Sequence, residues 1–297
     1  MRKSAFTLLE LIFVIVIIGI LSKYGVELLS QAYKNFIFSS VNNALQANSA
    51  AAVESIAARL QYRIKDSVIA REPADFFGLA GYSADNATVL EWVGAEVDGF
   101  RGNTGTLPLW SGIIDLEAST APTTLVSPGT DTGALDTLID TLSNGGSGIN
   151  DAAIYFIGSD SDVKTGYGWD GAALTDHNTS VMHPIKSVAG QPTQFESSTA
   201  TDFTGTDIYE YYQLAWTAYA VGITDYNTST NTGTLTLWYD YQPWNGQNYA
   251  THGKAVKLMD DVSTFQFKAV GSIVKIQVCV NSDLMEDYSL CKEKTIF

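Results

Sequence analysis

The sequence predicts an α+β fold, with one long N-terminal helix packed on an antiparallel β-sheet domain. Three observations predict it. Phe6 to Leu21 form an almost unbroken apolar run. Apolar residues then recur every three to four positions as far as Val68, with no proline before Pro73, the stripe of an amphipathic helix. The C-terminal part is rich in aromatic and β-branched residues set in short runs, which is strand composition.

The helix comes first. Arg2 and Lys3 precede the small residues Ser4 and Ala5. The apolar run is slightly short of the ~20 residues of a full membrane span. Val26, Leu28 and Leu29 extend it, with Lys23 near the far interface. Cations ahead of the segment place the C-terminus outside the cytoplasm. Glu10 interrupts the run near its start. An ionised acid there is costly, so it calls for a partner and a task. A secretory signal peptide wants small residues after its apolar core, and Gly-Ile-Leu-Ser-Lys-Tyr at 19–24 fits that poorly. A plain anchor leaves Glu10 unexplained.

Beyond the span, Tyr33, Ile37, Val41, Leu45, Ala52, Ile56, Leu60, Ile64 and Val68 mark one helical face. Asn42, Asn43, Gln46, Asn48 and Ser49 thin it in the middle, a candidate bend. Arg59, Arg63 and Lys65 suit the negative end of a helix dipole, and Pro73 supplies the stop. A continuous helix from Phe6 to Arg71 would be about 100 Å long. Gly19 and Gly25 weaken its apolar half or let neighbouring helices approach closely.

Phe6-Thr7-Leu8-Leu9-Glu10, with its basic leader and apolar helix, resembles the N-terminal processing and methylation signature of type IV pilins and of the pseudopilins of type II secretion. The resemblance implies cleavage by a prepilin peptidase between Ala5 and Phe6, then N-methylation of Phe6. Ala5 stands where the family usually has Gly, and is also small. Glu10 would set register during assembly by pairing with the free Phe6 amine of a neighbouring subunit. The implied organisation is a leader at 1–5, a transmembrane and assembly helix at 6–29, its amphipathic continuation at 30–72, and a globular β-rich periplasmic domain at 73–297. Near Gly19 the family's helix can loosen inside a filament, often with a Pro some eight residues on; this chain has Glu27 there. Leu258-Met-Asp-Asp-Val-Ser-Thr-Phe-Gln-Phe267 followed by a hairpin is similar to the larger minor pilins, the GspJ- or PilW-like group.

The 297 residues carry 17 basic and 32 acidic side chains, a net charge of −15. Nucleic acid and anionic lipid both reward Lys and Arg, so this balance disfavours either as a partner. The cysteines are Cys279 and Cys291. In a cytosolic protein they would be free thiols. Behind an export-type anchor the compartment is oxidising and a disulfide is the expectation, one the pilin resemblance also favours. No CxxC pair or nearby His suggests a metal site there.

In the globular part, Leu135, Leu138 and Ile139 predict a short helix within a long polar excursion, Ser119 to Gly148. Ala153 to Ile157 reads as a strand, and Gly158 to Thr206 as loop-rich. Tyr209–Gly222, Thr234–Tyr241, Ala255–Met259, Ser263–Val270 and Ser272–Val280 predict an antiparallel meander, the last two joined at a Gly271 turn.

Other motifs carry little chemistry. Gly166-Tyr-Gly168-Trp-Asp-Gly171 has dinucleotide-loop spacing, but without a strand before it and a helix after it the stretch reads as loop. Asp160-Ser-Asp162 starts like a calcium loop, yet Lys164 is basic and no closing Glu follows. His177, His183 and His252 are scattered. Trp238, Tyr239, Tyr241 and Trp244 either fill the core or grip a sugar or partner. The Asn86, Asn178 and Asn227 triplets are glycosylation-type matches of chance character.

These readings converge on a non-catalytic structural subunit with no cofactor and no metal. It would be a minor pilin or pseudopilin at or near the tip of a type IV pilus or type II secretion pseudopilus. Its expected partners are other pilins, the prepilin peptidase and methyltransferase, the inner-membrane platform, and membrane lipid before assembly. Its expected place is the inner membrane, single-pass, then the filament. A DNA-uptake or adhesive pilin is the alternative, and a membrane-anchored periplasmic enzyme the third reading.

Overall fold

The computed structural model describes residues 7–102, 107–119, 123–159, 162–282 and 288–297. A 53-residue helix, α1 (Leu8–Leu60), leads the chain; at 1.5 Å per residue it is about 80 Å long. There follow β1 (Ile69–Arg71), β2 (Phe76–Gly78), β3 (Val89–Gly94), the short α2 (Asp98–Arg101), β4 (Thr124–Val126) and α3 (Thr132–Leu142). The rest is strand: β5 (Ala153–Phe156), β6 (Met182–Val188), β7 (Gln191–Ser197), β8 (Tyr212–Ala215), β9 (Thr217–Asn227), β10 (Thr232–Tyr239), β11 (Lys254–Val270), β12 (Ile273–Asn281) and β13 (Ser289–Ile296).

The strands make two antiparallel sheets. The larger runs β13-β12-β11-β10-β9-β3-β1-β2, and the smaller β4-β7-β6-β5-β8. This is the expected α+β layout of a long helix on antiparallel sheet, with a second sheet added. The helix lies across β11, β12 and β13. Ala52, Val53, Ile56 and Leu60 pack there on Leu235, Val262, Val278 and Val280. Each fully buried aliphatic side chain contributes roughly 1.5–3 kcal/mol. A second apolar layer, with Val93 and Ala218 from one sheet and Ala153, Tyr155 and Met182 from the other, joins the two sheets. The far face of the smaller sheet is covered by Leu135 and Ile139 of α3 and by Trp110.

The helix stops eleven residues short of the expected Arg71, so the amphipathic continuation ends at Leu60 and not at 72. The side chain of Arg63 folds back to Leu60 O at 2.8 Å and reaches Ser272 O at 2.6 Å. The Ile64 N–H bonds Val93 O at 2.9 Å. The backbone is thus drawn into the sheet, where Ile64 and Val68 are buried as extended-chain residues. At the other end Tyr33 is exposed, so the covered stripe starts at Val41.

The predicted strands at Ala255–Met259 and Ser263–Val270 are one strand, β11, bent where its pairing with β10 slips a residue and Asp261 takes φ 60°. Gly271, at φ 61°, makes the tight β11–β12 turn. Tyr209–Gly222 divides at Trp216: β8 belongs to the smaller sheet and β9 to the larger. The supposed loops contain β4, β6 and β7, and α3 sits where the three apolar residues placed it.

Candidate functional site

The first half of α1 is the feature the rest of the molecule does not cover. Leu9, Phe13, Ile17 and Leu21 are each at least half exposed. The helix is long and apolar enough to cross a membrane, and no residue of its most apolar window is buried. The sequence produces this directly, because the apolar residues there occupy every face and no strand packs on them.

Glu10 sits in the first turn. Its Oε2 accepts the Thr7 N–H and the Thr7 hydroxyl, both at 2.9 Å, while the Thr7 hydroxyl accepts the Glu10 N–H at 3.4 Å. This reciprocal box satisfies two helix-start donors. It leaves Glu10 Oε1 without a partner among the described residues. The leader, the expected cut between Ala5 and Phe6, and the methylated Phe6 amine lie outside the described residues.

The covered half of the helix is pinned at its entry and its flank. Tyr288 donates to Asn42 Oδ1 at 2.6 Å and meets Phe38 edge-on. Lys294 pairs with Glu54 at 2.6 Å. Beneath lies the β12–β13 pair, in which Cys279 faces Cys291 and the two form a disulfide. Val278 and Val280 point to the helix, so the disulfide is on the outer face.

Gly166 to Gly171 is a turn-rich loop whose Tyr167 and Trp169 are buried. Its Gly168 has φ 81° and abuts the Pro243 carbonyl, which leaves no room for a Cβ. Asp160 lies outside the described residues. Asp162 Oδ1 accepts the Lys164 N–H, and Lys164 pairs with Asp75 at 2.6 Å beside the Phe76 and Phe77 rings. Tyr241 and Trp244 are fully buried, Trp238 and Tyr239 partly.

Two polar clusters had no signal in the sequence. Arg71 pairs with the buried Glu91, which also accepts from Tyr241 at 3.0 Å. His177 and His183 are brought together, Nδ1 to Nδ1 at 3.3 Å. Ser197 Oγ gives its proton to Thr201 O at 2.6 Å, so it accepts from His177 Nε2 at 2.7 Å. That leaves His177 Nδ1 as acceptor and His183 Nδ1 as donor. Burial pushes both imidazoles down, His177 to about 4 and His183 to about 3. Only the fold makes this pair, since the two residues come from a loop and from β6. Hydrogen bonds within the protein explain it, and no group of three or more metal-ligating side chains occurs among the described residues.

Residues 1–22 match the family model of the prokaryotic N-terminal methylation motif. The match supports the resemblance to type IV pilins and pseudopilins and a chain processed as they are, with one N-terminal apolar helix of the kind that anchors them. Neither a curated protein nor a solved structure matches the chain.

Proposed function

We propose, starting from a chain whose N-terminus carries the methylation motif of pilin-like proteins, that it is a minor pilin or pseudopilin, a structural and non-catalytic subunit. It is inserted in the inner membrane with its sheet domain in the periplasm. A prepilin peptidase trims it between Ala5 and Phe6, Phe6 is methylated, and the assembly platform draws it into a type IV pilus or type II secretion pseudopilus. Size favours a low-copy place at or near the tip, because two sheets and α3 make a bulky head on one helix. The likeness to the GspJ- or PilW-like minor pilins belongs to the same reading.

One observation carries it: a solitary carboxylate at the head of an uncovered apolar helix, with one oxygen already bonded and the other open. Two opposite unit charges ~4 Å apart attract by about 4 kcal/mol at an effective dielectric near 20, against about 1 in water. A bundle of such helices, dry inside, makes the open oxygen a receptor for a cation. Each cleaved neighbour brings one in its new Phe6 amine.

The test is Glu10→Ala in the native host. Leader removal should persist, read by mass spectrometry of the amino end, while incorporation into filaments falls sharply. Wild-type incorporation of the variant, or a native protein still starting at Met1, overturns the proposal.

A further inference from the structure

Where α1 ends, three parts of the molecule surround one cleft: the last helical turns, the face of β9–β11, and the end of α3 at Leu142. Its volume of about 520 Å³ is within the ordinary range for small-molecule sites. The polar groups in it are of mixed kind. Glu96 is buried and held at its floor by the Gly99 N–H at 2.7 Å and the Trp110 Nε1–H at 2.6 Å. Asp98 stands next to it. Arg59 lies 6.0 Å over the Tyr219 ring, and Arg101 sits over the Tyr62 ring and bonds its hydroxyl. The charges of Arg59, Asp98 and Glu96 all act on the Tyr219 phenol, as does Tyr239.

The two phenols are the informative groups. Neither the Tyr219 nor the Tyr239 hydroxyl has a protein hydrogen-bond partner among the described residues, and neither is a buried unpartnered atom, so both are open to the cleft. Tyr219 is wedged between Trp92, stacked at 5.6 Å, and Arg59, which fixes its ring in the cleft wall. A fixed phenol that faces the cleft offers both a donor and an acceptor to a molecule that enters it.

The charges narrow what that partner is. An anion would gain from Arg59 and Arg101 but meets Glu96 and Asp98. A cation meets the reverse conflict. A neutral molecule whose hydroxyls both donate and accept satisfies carboxylates, guanidinia and phenols together, and its ring carbons fit aromatic walls. We propose that this cleft is a binding site for a neutral saccharide, held by Tyr219, Tyr239, Arg59 and Asp98 over the Glu96 floor. The site does not rest on the assembly reading, and a failed Glu10 experiment leaves it standing.

The experiment uses the full chain in a sugar-free zwitterionic detergent. Saturation-transfer NMR is run against glucose, galactose, mannose, N-acetylglucosamine, maltose and lactose at about 10 mM, enough to populate millimolar sites. At least one sugar should receive saturation. The double variant Tyr219→Phe/Tyr239→Phe keeps both rings and loses two hydroxyls, so its affinity should fall about tenfold or more with an unchanged melting temperature. Three results overturn the proposal: no transfer to any of the six sugars, equal binding by the double variant, or displacement of the sugar by millimolar inorganic phosphate or spermidine, which would make the cleft charge-selective.

Discussion

The two halves of α1 both carry large aliphatic side chains, and these meet opposite fates. Leu9 and Leu29 are about 70% exposed, whereas Ile56 and Leu60 are fully buried. The covered half alternates its apolar residues with Glu54, Ser55 and Arg59, so only one face needs a sheet. The uncovered half is apolar all round, and no single sheet could satisfy it. The first half is the more hydropathic, with a mean hydropathy of 2.2 over its most apolar window, and its apolar surface runs all the way round. A narrow stripe is answered inside the chain, and a full cylinder must be answered by lipid or by other helices.

Substitutions along the helix should break that symmetry most. Leu60→Ala opens a cavity against β11 and β12 and should cost about 3–4 kcal/mol, read by denaturant melts of the full chain in detergent. Leu11→Ala, in the other half, should leave the same melt within about 0.5 kcal/mol. Equal effects would mean that both halves are covered within one molecule.

The disulfide holds the floor of the covered half. Its cysteines are 12 residues apart, and in the chain-entropy view Cys279→Ala/Cys291→Ala should cost about 3 kcal/mol. Reduction should give a similar loss, without altering the exposure of the first helical half to proteases.

Acid separates the helix seam from the smaller sheet. His183 is neutral in the fold with its pKa pushed to about 3, against an ordinary 6.5. The unfolded chain therefore binds the extra proton between these values. The stability is complete above about pH 6.5 and is lost as pH falls toward 3. At pH 5 the loss is about 2 kcal/mol. His183→Gln should reduce the slope of the stability profile between pH 6.5 and 5 to the share left by His177, whose pKa burial also lowers, to about 4. An unchanged slope would place the acid sensitivity elsewhere, since the buried Glu96, whose carboxyl burial pushes up, works in the opposite direction.

A smaller loss than that of Leu60→Ala or of the disulfide is expected at the boundary between the halves. Tyr288→Phe removes the bond to Asn42 and should cost about 1 kcal/mol. It should raise hydrogen exchange around Phe38 to Val41 first.

Much of this could be read from residues alone, and the misses are specific. The long apolar helix and α3 followed from periodicity, and a charge set in the apolar run singled out Glu10 as a candidate. The end of α1 did not, because Ile64 and Val68 keep a helical spacing while serving as core residues in extended chain. β6 and β7 were hidden by Pro184 and Pro192, which lower strand expectation, and by the polar run Gln191 to Ser197. The smaller sheet was missed for that reason. Tyr209 to Gly222 reads as one strand, and nothing local says that the chain changes sheets at Trp216. The cleft at the end of α1 was illegible in principle, since Arg59, Glu96 and Tyr219 meet only once both sheets exist.

That change of sheets has a mechanical consequence. β8 and β9 are a single covalent run, bonded to β5 on one side of Trp216 and to β3 and β10 on the other. A pull on the smaller sheet along this run loads whole ladders of backbone bonds in shear, together, before any tension reaches the helix. The two sheets of the head are thus wired to each other by a tendon of continuous chain.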